Sequence, residues 1–335
     1  MSMMQFVLIG VGAGTAAALL FASVTSGVGF ILFYLAPLPI LIAALGWSHW
    51  AGLAAAVAAA AMLGGVFGIF FFVTFLTSVG APAWWLGYLA LLSRPVANGG
   101  VMHTEWYPPG RLVLWAAALG AGIIAGALAM FGADESTIRS GIRGALEQVL
   151  RLQTGIPADT PLQFPGVGDA DRLIDMLVVV LPPAAAVIAT TTLIGNLWLS
   201  GQVVKLSSRL RRPWPNLTAL AFPPRAPAFF AGAVAGAFVP NVLGLVASLF
   251  AATFAVAFAI LGFSVVHAMT RNIDVRRVTT GAVFRPRMII LTVIYVIVVV
   301  QGWPILIMML IGLAETLFGL RARQTAQRPP AAPRT

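Results

Sequence analysis

The stretch from Phe33 to Gly68 constrains the fold most, because it is long, apolar and free of charged side chains. It reads FYLAPLPILIAALGWSHWAGLAAAVAAAAMLGGVFG. A helix needs about 20 apolar residues to cross the hydrocarbon core of a membrane, and this stretch holds one segment close to that length after GWSHW and most of another before it. Similar stretches recur along the chain, of which 60% is hydrophobic and 9% charged. Since backbone groups in lipid must find partners within their own segment, the sequence predicts an all-α, polytopic transmembrane helix bundle.

The apolar segments predict about 8 to 10 spans, judged by the length needed to cross the membrane. The first six are expected at 6–24, 28–46, 50–68, 70–93, 111–131 and 173–201. The N-terminal segment is included because it lacks the basic region of a signal peptide. Two hairpins follow, at 227–269 and 284–320, which makes ten spans in all, and eight full spans with re-entrant pieces are the alternative. The sequence GAPAWW is expected to break the span at 70–93.

The net charge of +10 is concentrated in a few segments, which predicts the orientation of the chain. Arginine-rich segments lie in a linker at 202–226, between the two hairpins, and in the C-terminal tail, whereas acidic residues gather between Asp134 and Asp175. By the positive-inside rule the basic segments are cytoplasmic, as are both termini. The alternative, a lipid- or nucleic-acid-binding patch, is less favoured, and we expect no nucleic acid as a partner. The excess of arginine over lysine is typical of a GC-rich bacterial genome and hence of a bacterial inner membrane.

The same pattern divides the chain into four parts. Residues 1–201 form a six-span bundle that includes an amphipathic helix and a loop at 132–172. A basic cytoplasmic linker at 202–226, transmembrane hairpins at 227–322 and a disordered tail at 323–335 follow. The amphipathic helix is expected along the outer membrane interface, because its apolar residues recur at helical spacing. The proline- and glycine-rich loop after it is either a connector or a lid over an external pocket.

Small residues spaced by four predict close contacts between helices. Lipid gives helices no hydrophobic reason to associate, so close backbone approach must supply the packing. Such stripes occur in four predicted spans. The glycines predicted to pack are Gly52, Gly64, Gly68, Gly122, Gly126, Gly232 and Gly236.

Prolines within two predicted spans indicate a candidate binding site. Each proline removes a backbone donor and frees a carbonyl that a neighbour or a ligand must satisfy, and broken helices often line transporter sites. Polar residues follow the second proline pair on one helix face, where they serve either as ligand contacts or as bonds between helices. The predicted substrate-binding residues are Pro37, Pro39, Pro182, Thr192 and Asn196.

The segments PLPILIAALGWSHWAGLAAAV, LGFSVVHAMTR and IGLAETLFGLRAR resemble the YybS-like family of bacterial membrane proteins. The N-terminal part of that family is distantly similar to the substrate-capture (S) components of energy-coupling-factor vitamin transporters and to the rod-shape protein MreD. S components have six spans with both termini cytoplasmic, and the predicted spans up to residue 201 fit that pattern. The hairpins beyond residue 201 have no counterpart in it.

Motifs of catalysis are absent from the sequence. There is no cysteine, no HExxH, no GxSxG and no Walker A lysine, so we expect no enzyme, no metal and no cofactor. Two functions remain. One is a small-molecule, vitamin-like capture subunit that relies on separate energising subunits, and the other is a cell-envelope scaffold similar to MreD that binds envelope proteins.

The predicted orientation can be tested with reporter fusions. Fusions after residues 215, 279 and 330 should report a cytoplasmic location and a fusion after residue 160 an external one, because the basic segments stay inside. A common location for residues 160 and 215 would contradict the predicted orientation from Asp171 onward.

Overall fold

The computed structural model describes residues 3–25, 29–98, 101–155, 157, 170–278 and 286–326. Nearly all of these residues are helical. The helices are α1 (Met3–Ala22), α2 (Gly29–Phe33), α3 (Pro37–Gly46), α4 (His49–Phe67), α5 (Ile69–Phe75), α6 (Ala81–Leu91), α7 (Pro109–Leu128), α8 (Glu135–Thr154), α9 (Ala170–Leu206), α10 (Ala226–Gly236), α11 (Val242–Val278), α12 (Pro286–Gln301), α13 (Ile305–Phe318) and α14 (Leu320–Ala326). Strands β1 (Ser93–Asn98) and β2 (Val101–Trp106) form an antiparallel hairpin.

Seven helical segments in the described residues are long and apolar enough to cross a membrane, which is compatible with an integral membrane protein. They are Met4–Ala22, Gly29–Gly46, His49–Phe67, Ile69–Leu91, Pro109–Leu128, Ala170–Leu206 and Val242–Arg271. The helical bundle is therefore confirmed, but the number of helices of spanning length is below the predicted eight to ten. The reason lies in the hairpins, whose remaining helices are short. An 11-residue helix such as α10 is about 16 Å long, roughly half the thickness of the hydrocarbon core.

The break predicted at GAPAWW does not occur. Instead the helical segment Ile69–Leu91 continues through a π turn at Leu76–Gly80, in which the Ala81 N–H donates to the carbonyl of Leu76. The wider turn shifts the hydrogen-bond register just before Pro82, which stands in the first turn of α6. A proline is tolerated there because that position needs no intrahelical N–H bond.

The contacts divide the chain into two units. The first comprises Met1–Tyr107, Trp115–Pro213 and Gly232–Thr253. Its core is built from small side chains, and Ala51, Ala55 and Ala59 of α4 are fully buried. A Cβ atom added at Gly10 of α1 would lie 2.5 Å from Cβ of Ala54, closer than real Cβ contacts allow. Helices α1 and α4 therefore pack with their backbones in near contact.

The glycines predicted to pack fall into two groups. An added Cβ would lie 2.6 Å from Ala44 Cβ at Gly52, 2.8 Å from Phe72 Cβ at Gly64 and 3.0 Å from Ala247 Cβ at Gly236. An added Cβ would meet no described atom within 4 Å at Gly68, Gly122, Gly126 or Gly232. These four glycines therefore lack the packing contact that their spacing predicted. Gly68 has a φ of +96°, a conformation that glycine adopts readily as it ends α4.

Gly120 of α7, unlike Gly122 and Gly126, packs against a neighbouring helix. A Cβ atom at this position would collide with Oγ1 of Thr190 and lie 2.8 Å from its backbone nitrogen. The packing face of α7 is thus two residues away from the predicted one. A spacing of four identifies a stripe but does not say which way the helix is turned.

Helix α8 packs on the protein with its apolar face. Ile138 and Ile142 are buried in a cluster with Ile174 and Val178 of α9, and Arg143 pairs with Asp171 at 2.6 Å and also with Asp175. Asp134 caps the helix, and hydrogen bonds from Ser136 and Thr137 lower the pKa of its carboxyl group. The helix predicted along the membrane interface is therefore attached to α9. Residues 158–169, where the connector or lid was predicted, lie outside the described residues.

The second unit comprises Pro108–Leu114, Trp214–Ala231 and Phe254–Thr335. Gly262 of α11 and Gly312 of α13 face each other so closely that a Cβ on either would strike the other helix's backbone, at Met308 and Phe258 respectively. Arg321 pairs with Glu315 at 2.8 Å and donates to the carbonyls of Thr218 and Leu220 at 2.7 and 2.6 Å. The second half of the basic linker is thereby tied to α13 and α14.

Two further details concern the hairpin and the C-terminal tail. His103 and Glu105 lie on β2, where Glu105 is opposite Arg94 and pairs with it at 2.7 Å. The tail predicted from residue 323 is helical as far as Ala326, and its remainder lies outside the described residues.

Gly120 and Gly122 provide a matched test of packing on α7. Gly120→Ala should cost about 1–3 kcal/mol of stability, because its Cβ has no room, whereas Gly122→Ala should be neutral or gain up to about 1 kcal/mol from the higher helix propensity of alanine. Thermal unfolding in detergent, followed by circular dichroism, measures both. Equal midpoints for the two variants would contradict the orientation of α7 described above.

Candidate functional site

The helical break at Tyr34–Ala36 leaves a backbone carbonyl for another group to satisfy. Helix α2 ends at Phe33 and α3 begins with Pro37, which has no N–H to donate. The Leu38 N–H bonds to the carbonyl of Leu35 at 2.9 Å instead of to that of Tyr34. The carbonyl of Tyr34 is therefore free of the regular helical bond.

Asn196 of α9 satisfies that carbonyl. Its Nδ2 donates to the oxygen of Tyr34 and to the oxygen of Thr192, both at 2.8 Å, and the side chain is 4% exposed. Both contacts are to carbonyls, which fixes the orientation of the amide. Both amide hydrogens are thus used within the protein, while the Oδ1 atom is buried without a partner in the described residues. Asn196 joins α9 to the broken span.

The predicted binding residues do not form one site. Asn196 and Thr192 lie at the break next to Pro37, and Pro39 stands in the first turn of α3. Pro182 is buried inside α9, which continues as a helix through both of its prolines. Fourteen residues of helix separate Pro182 from Asn196, a distance of about 21 Å at 1.5 Å per residue. Pro182 cannot contribute to a small pocket at Asn196.

A cluster of aromatic rings forms a second candidate site in the same unit. We call it the Tyr88 cluster, and it consists of His49 at the start of α4 and Trp84, Trp85 and Tyr88 of α6. The rings of His49, Trp84 and Trp85 have centroids 5.2, 6.1 and 5.7 Å from that of Tyr88, and Trp84 stacks on it at 24°. Trp84 and Trp85 precede Tyr88 by four and three residues, so both reach it on one helix face.

Three ring nitrogens of the Tyr88 cluster are buried without a hydrogen-bond partner in the described part of the chain. They are Nδ1 of His49 and Nε1 of Trp84 and of Trp85. Local structure fixes their positions, because Ser48 caps α4 by accepting from the Ala51 N–H and α6 is a regular helix. Buried polar atoms are normally paired, so an unpaired group of three indicates a site for a ligand or water.

The Tyr88 cluster continues into the basic linker through direct contacts. Trp85 packs against Trp115, whose Nε1 donates to the hydroxyl of Tyr107 at 3.0 Å. Arg212 donates to the carbonyl of Tyr107 at 3.3 Å and to that of Ala90 at 3.0 Å. Arg212 is 9% exposed, and burial lowers the pKa of its guanidinium. A buried cation is therefore linked to the Tyr88 cluster through Tyr107 and Trp115.

The sequence carries one signal for this site. Trp84 and Trp85 in GAPAWW are followed at helical spacing by Tyr88, which describes an aromatic helix face. Arg212 cannot be distinguished by sequence alone from the other arginines of the linker. Side chains from α4 and α6 meet because α3 packs against both helices, and no local motif encodes that contact.

The described residues contain no group of three or more histidine, aspartate or glutamate side chains that could hold a metal ion. Comparison with known proteins finds no counterpart, since no family model, curated protein or solved structure matches the chain. The resemblance to the YybS-like family therefore stays a prediction. The class that the helices define is a helical bundle compatible with an integral membrane protein.

The role of Asn196 as a bond between helices can be tested directly. Asn196→Leu should destabilise the protein by about 1–3 kcal/mol, because the carbonyl of Tyr34 would remain buried without a donor. Ser200→Ala is the control, since Ser200 donates only to Leu197 within its own helix. Thermal unfolding in detergent measures the difference. A loss no greater than that of Ser200→Ala would contradict the structural role.

Proposed function

We propose that the chain is a non-catalytic integral membrane protein that captures a small molecule at the Tyr88 cluster. The observation that carries this proposal is the set of three buried, unpartnered ring nitrogens on His49, Trp84 and Trp85. Each unpaired polar group costs about 1–3 kcal/mol when it is buried, so a ligand that pairs with them gains that energy on binding.

A membrane-interface role explains these rings less well. Tryptophan and tyrosine gather at the two membrane surfaces, where their polar atoms reach water and headgroups. Trp50 fits this description, because it is 62% exposed. The nitrogens of Trp84 and Trp85 are instead buried. Their burial favours a ligand held inside the bundle.

The chemistry of the Tyr88 cluster limits the class of ligand. The indole N–H groups of Trp84 and Trp85 can only donate, so the ligand must carry acceptors such as carbonyl oxygens or ring nitrogens. His49 can donate or accept according to its tautomer. The surrounding rings favour a flat, conjugated molecule that stacks against them. A heteroaromatic or other conjugated carbonyl compound satisfies these requirements.

The position of the Tyr88 cluster bears on how capture would work. The cluster lies at the end of the bundle that joins the basic linker, where Arg209 stands 4.8 Å from the ring centroid of Trp47. By the positive-inside rule this end is cytoplasmic. The ligand therefore exchanges with the cytoplasmic side. Transport would require a separate energising subunit, as for the transporter S components that the sequence resembles.

A cell-envelope scaffold is the second candidate, and a different observation favours it. A Cβ atom at Gly122 or Gly126 would meet no described atom within 4 Å, although the two glycines form one stripe on α7. A stripe of small residues with open space in front of it suits the close approach of a helix from another membrane protein. In this alternative the partners are envelope proteins.

Native mass spectrometry of the purified protein tests capture. We expect a co-purifying small molecule whose occupancy falls about 5- to 100-fold in Trp84→Phe/Trp85→Phe, because two neutral hydrogen bonds are lost while the rings remain. Trp198→Phe is the control, as Trp198 is 49% exposed. Unchanged occupancy in the double variant would exclude the Tyr88 cluster. If no small molecule is found and envelope proteins co-purify with the chain unless Gly122→Leu is introduced, the scaffold is favoured.

A further inference from the structure

Arg212 is a buried cation without a carboxylate partner among the described residues. Its side chain is 9% exposed, and both of its recorded hydrogen bonds go to neutral carbonyls, those of Ala90 and Tyr107. The Nε atom is buried without a partner. The nearest acidic residue along the hairpin, Glu105, pairs with Arg94. The positive charge of Arg212 is therefore uncompensated within this part of the protein.

Neutral contacts do not offset the burial of such a charge. An arginine keeps its proton in proteins, so it cannot escape burial by becoming neutral. Removing an ion from water costs several kcal/mol, which an opposite charge or complete hydrogen bonding must recover. The Trp106 ring lies 6.0 Å from the guanidinium carbon, at the outer limit of a cation–π contact. With two carbonyls and one distant ring as its contacts, the guanidinium has no acceptor for its Nε–H and no opposite charge for its own in the described part of the protein.

The surroundings of Arg212 suit an anion at the membrane surface. Arg209 and Arg211 precede it in the linker, and both are exposed. Neighbouring cations raise the local concentration of anions and attract acidic lipids. Since α9 ends at Leu206, with Lys205 in its last turn, Arg212 follows the end of the helix by only six residues. Helix α9 thus leads directly from the hydrocarbon core to a basic segment.

We propose that Arg212 anchors a phosphate group, supplied by an anionic phospholipid headgroup or by a soluble phosphate compound. Phosphate is favoured over other anions because the planar guanidinium presents parallel N–H donors that match two phosphate oxygens. The Nε–H is the donor that has no acceptor within the described residues. The two carbonyl bonds hold the guanidinium plane fixed, so that the site is oriented before the anion binds. This site is independent of the proposed capture of a small molecule by the Tyr88 cluster.

Ligand titrations of the full-length protein in a neutral detergent test this site. The probes are short-chain phosphatidylglycerol, short-chain phosphatidylcholine and inorganic phosphate, and the readouts are native mass spectrometry and the shift in thermal midpoint. We expect the unmodified protein to bind one phosphatidylglycerol at least tenfold more tightly than phosphatidylcholine. Arg212→Gln should lose at least tenfold in that affinity. Arg211→Gln, which removes a neighbouring exposed charge, should lose no more than about threefold, in keeping with the weakness of exposed charge pairs.

The results distinguish a lipid headgroup from a soluble phosphate compound, and both from a purely structural role of Arg212. Competition of inorganic phosphate with phosphatidylglycerol, lost in Arg212→Gln, supports a soluble phosphate compound, whereas binding of the lipid alone supports a headgroup. Equal affinities of Arg212→Gln and the unmodified protein for every probe would overturn the proposal. Arg212 would then only hold the linker against the β1–β2 hairpin through its hydrogen bonds.

If Arg212→Gln does not fold, Arg212→Lys replaces it, because lysine keeps the charge but loses the parallel donors. An unchanged affinity of Arg212→Lys would then overturn the proposal. Trp84→Phe/Trp85→Phe should leave phosphatidylglycerol binding unchanged, which separates this site from the capture site.

Discussion

The near contact of α1 with α4, backbone against backbone, is the interaction on which the first unit depends. Gly10 of α1 faces Ala54, and Gly14 faces Ala55. A Cβ atom added at Gly14 would lie only 2.7 Å from the carbonyl oxygen of Ala55. On the other side of α4, Gly52 meets Ala44 of α3 in the same way. Because these side chains are too small to fill space by themselves, the stability of the unit comes from many close contacts between helices. The positions of α3, α6 and the Tyr88 cluster follow from this packing.

Some buried polar groups of the first unit have hydrogen-bond partners within the protein, and others have none among the described residues. Asn196 closes the gap that Pro37 creates, with both amide hydrogens donated to carbonyls. The ring nitrogens of the Tyr88 cluster and the Nε atom of Arg212 have no such partners in the described residues. The difference separates structural from functional candidates, since an apolar interior penalises any polar atom that nothing binds. In the described part of the chain, the unpartnered nitrogens of the Tyr88 cluster and of Arg212 lie at the end of the bundle that joins the basic linker, whereas two unpartnered oxygens, Oγ1 of Thr190 and Oδ1 of Asn196, lie on α9.

The sequence predicted what depends on composition and span length, and missed what depends on helix rotation. The apolar segments and the break before Pro37 followed from residue type alone, because lipid forces each segment to satisfy its own backbone. The spacing of four at Gly122 and Gly126 could not show that Gly120 would face Thr190. Likewise, the carbonyl that Asn196 binds belongs to a residue 162 positions earlier in the chain. Contacts of this kind require the three-dimensional arrangement of the helices.

The two proposed sites share one structural cause. Helix α6 ends at Leu91, and its last turn supplies both Tyr88 to the aromatic cluster and the carbonyl of Ala90 to Arg212. The β1–β2 hairpin that follows returns the chain to Tyr107, whose carbonyl gives Arg212 its second contact and whose hydroxyl accepts from Trp115. The end of α6 therefore orients an aromatic surface on one side and a cation on the other. The same short stretch of backbone therefore fixes the geometry of both groups, although each site has its own donors and its own ligand chemistry.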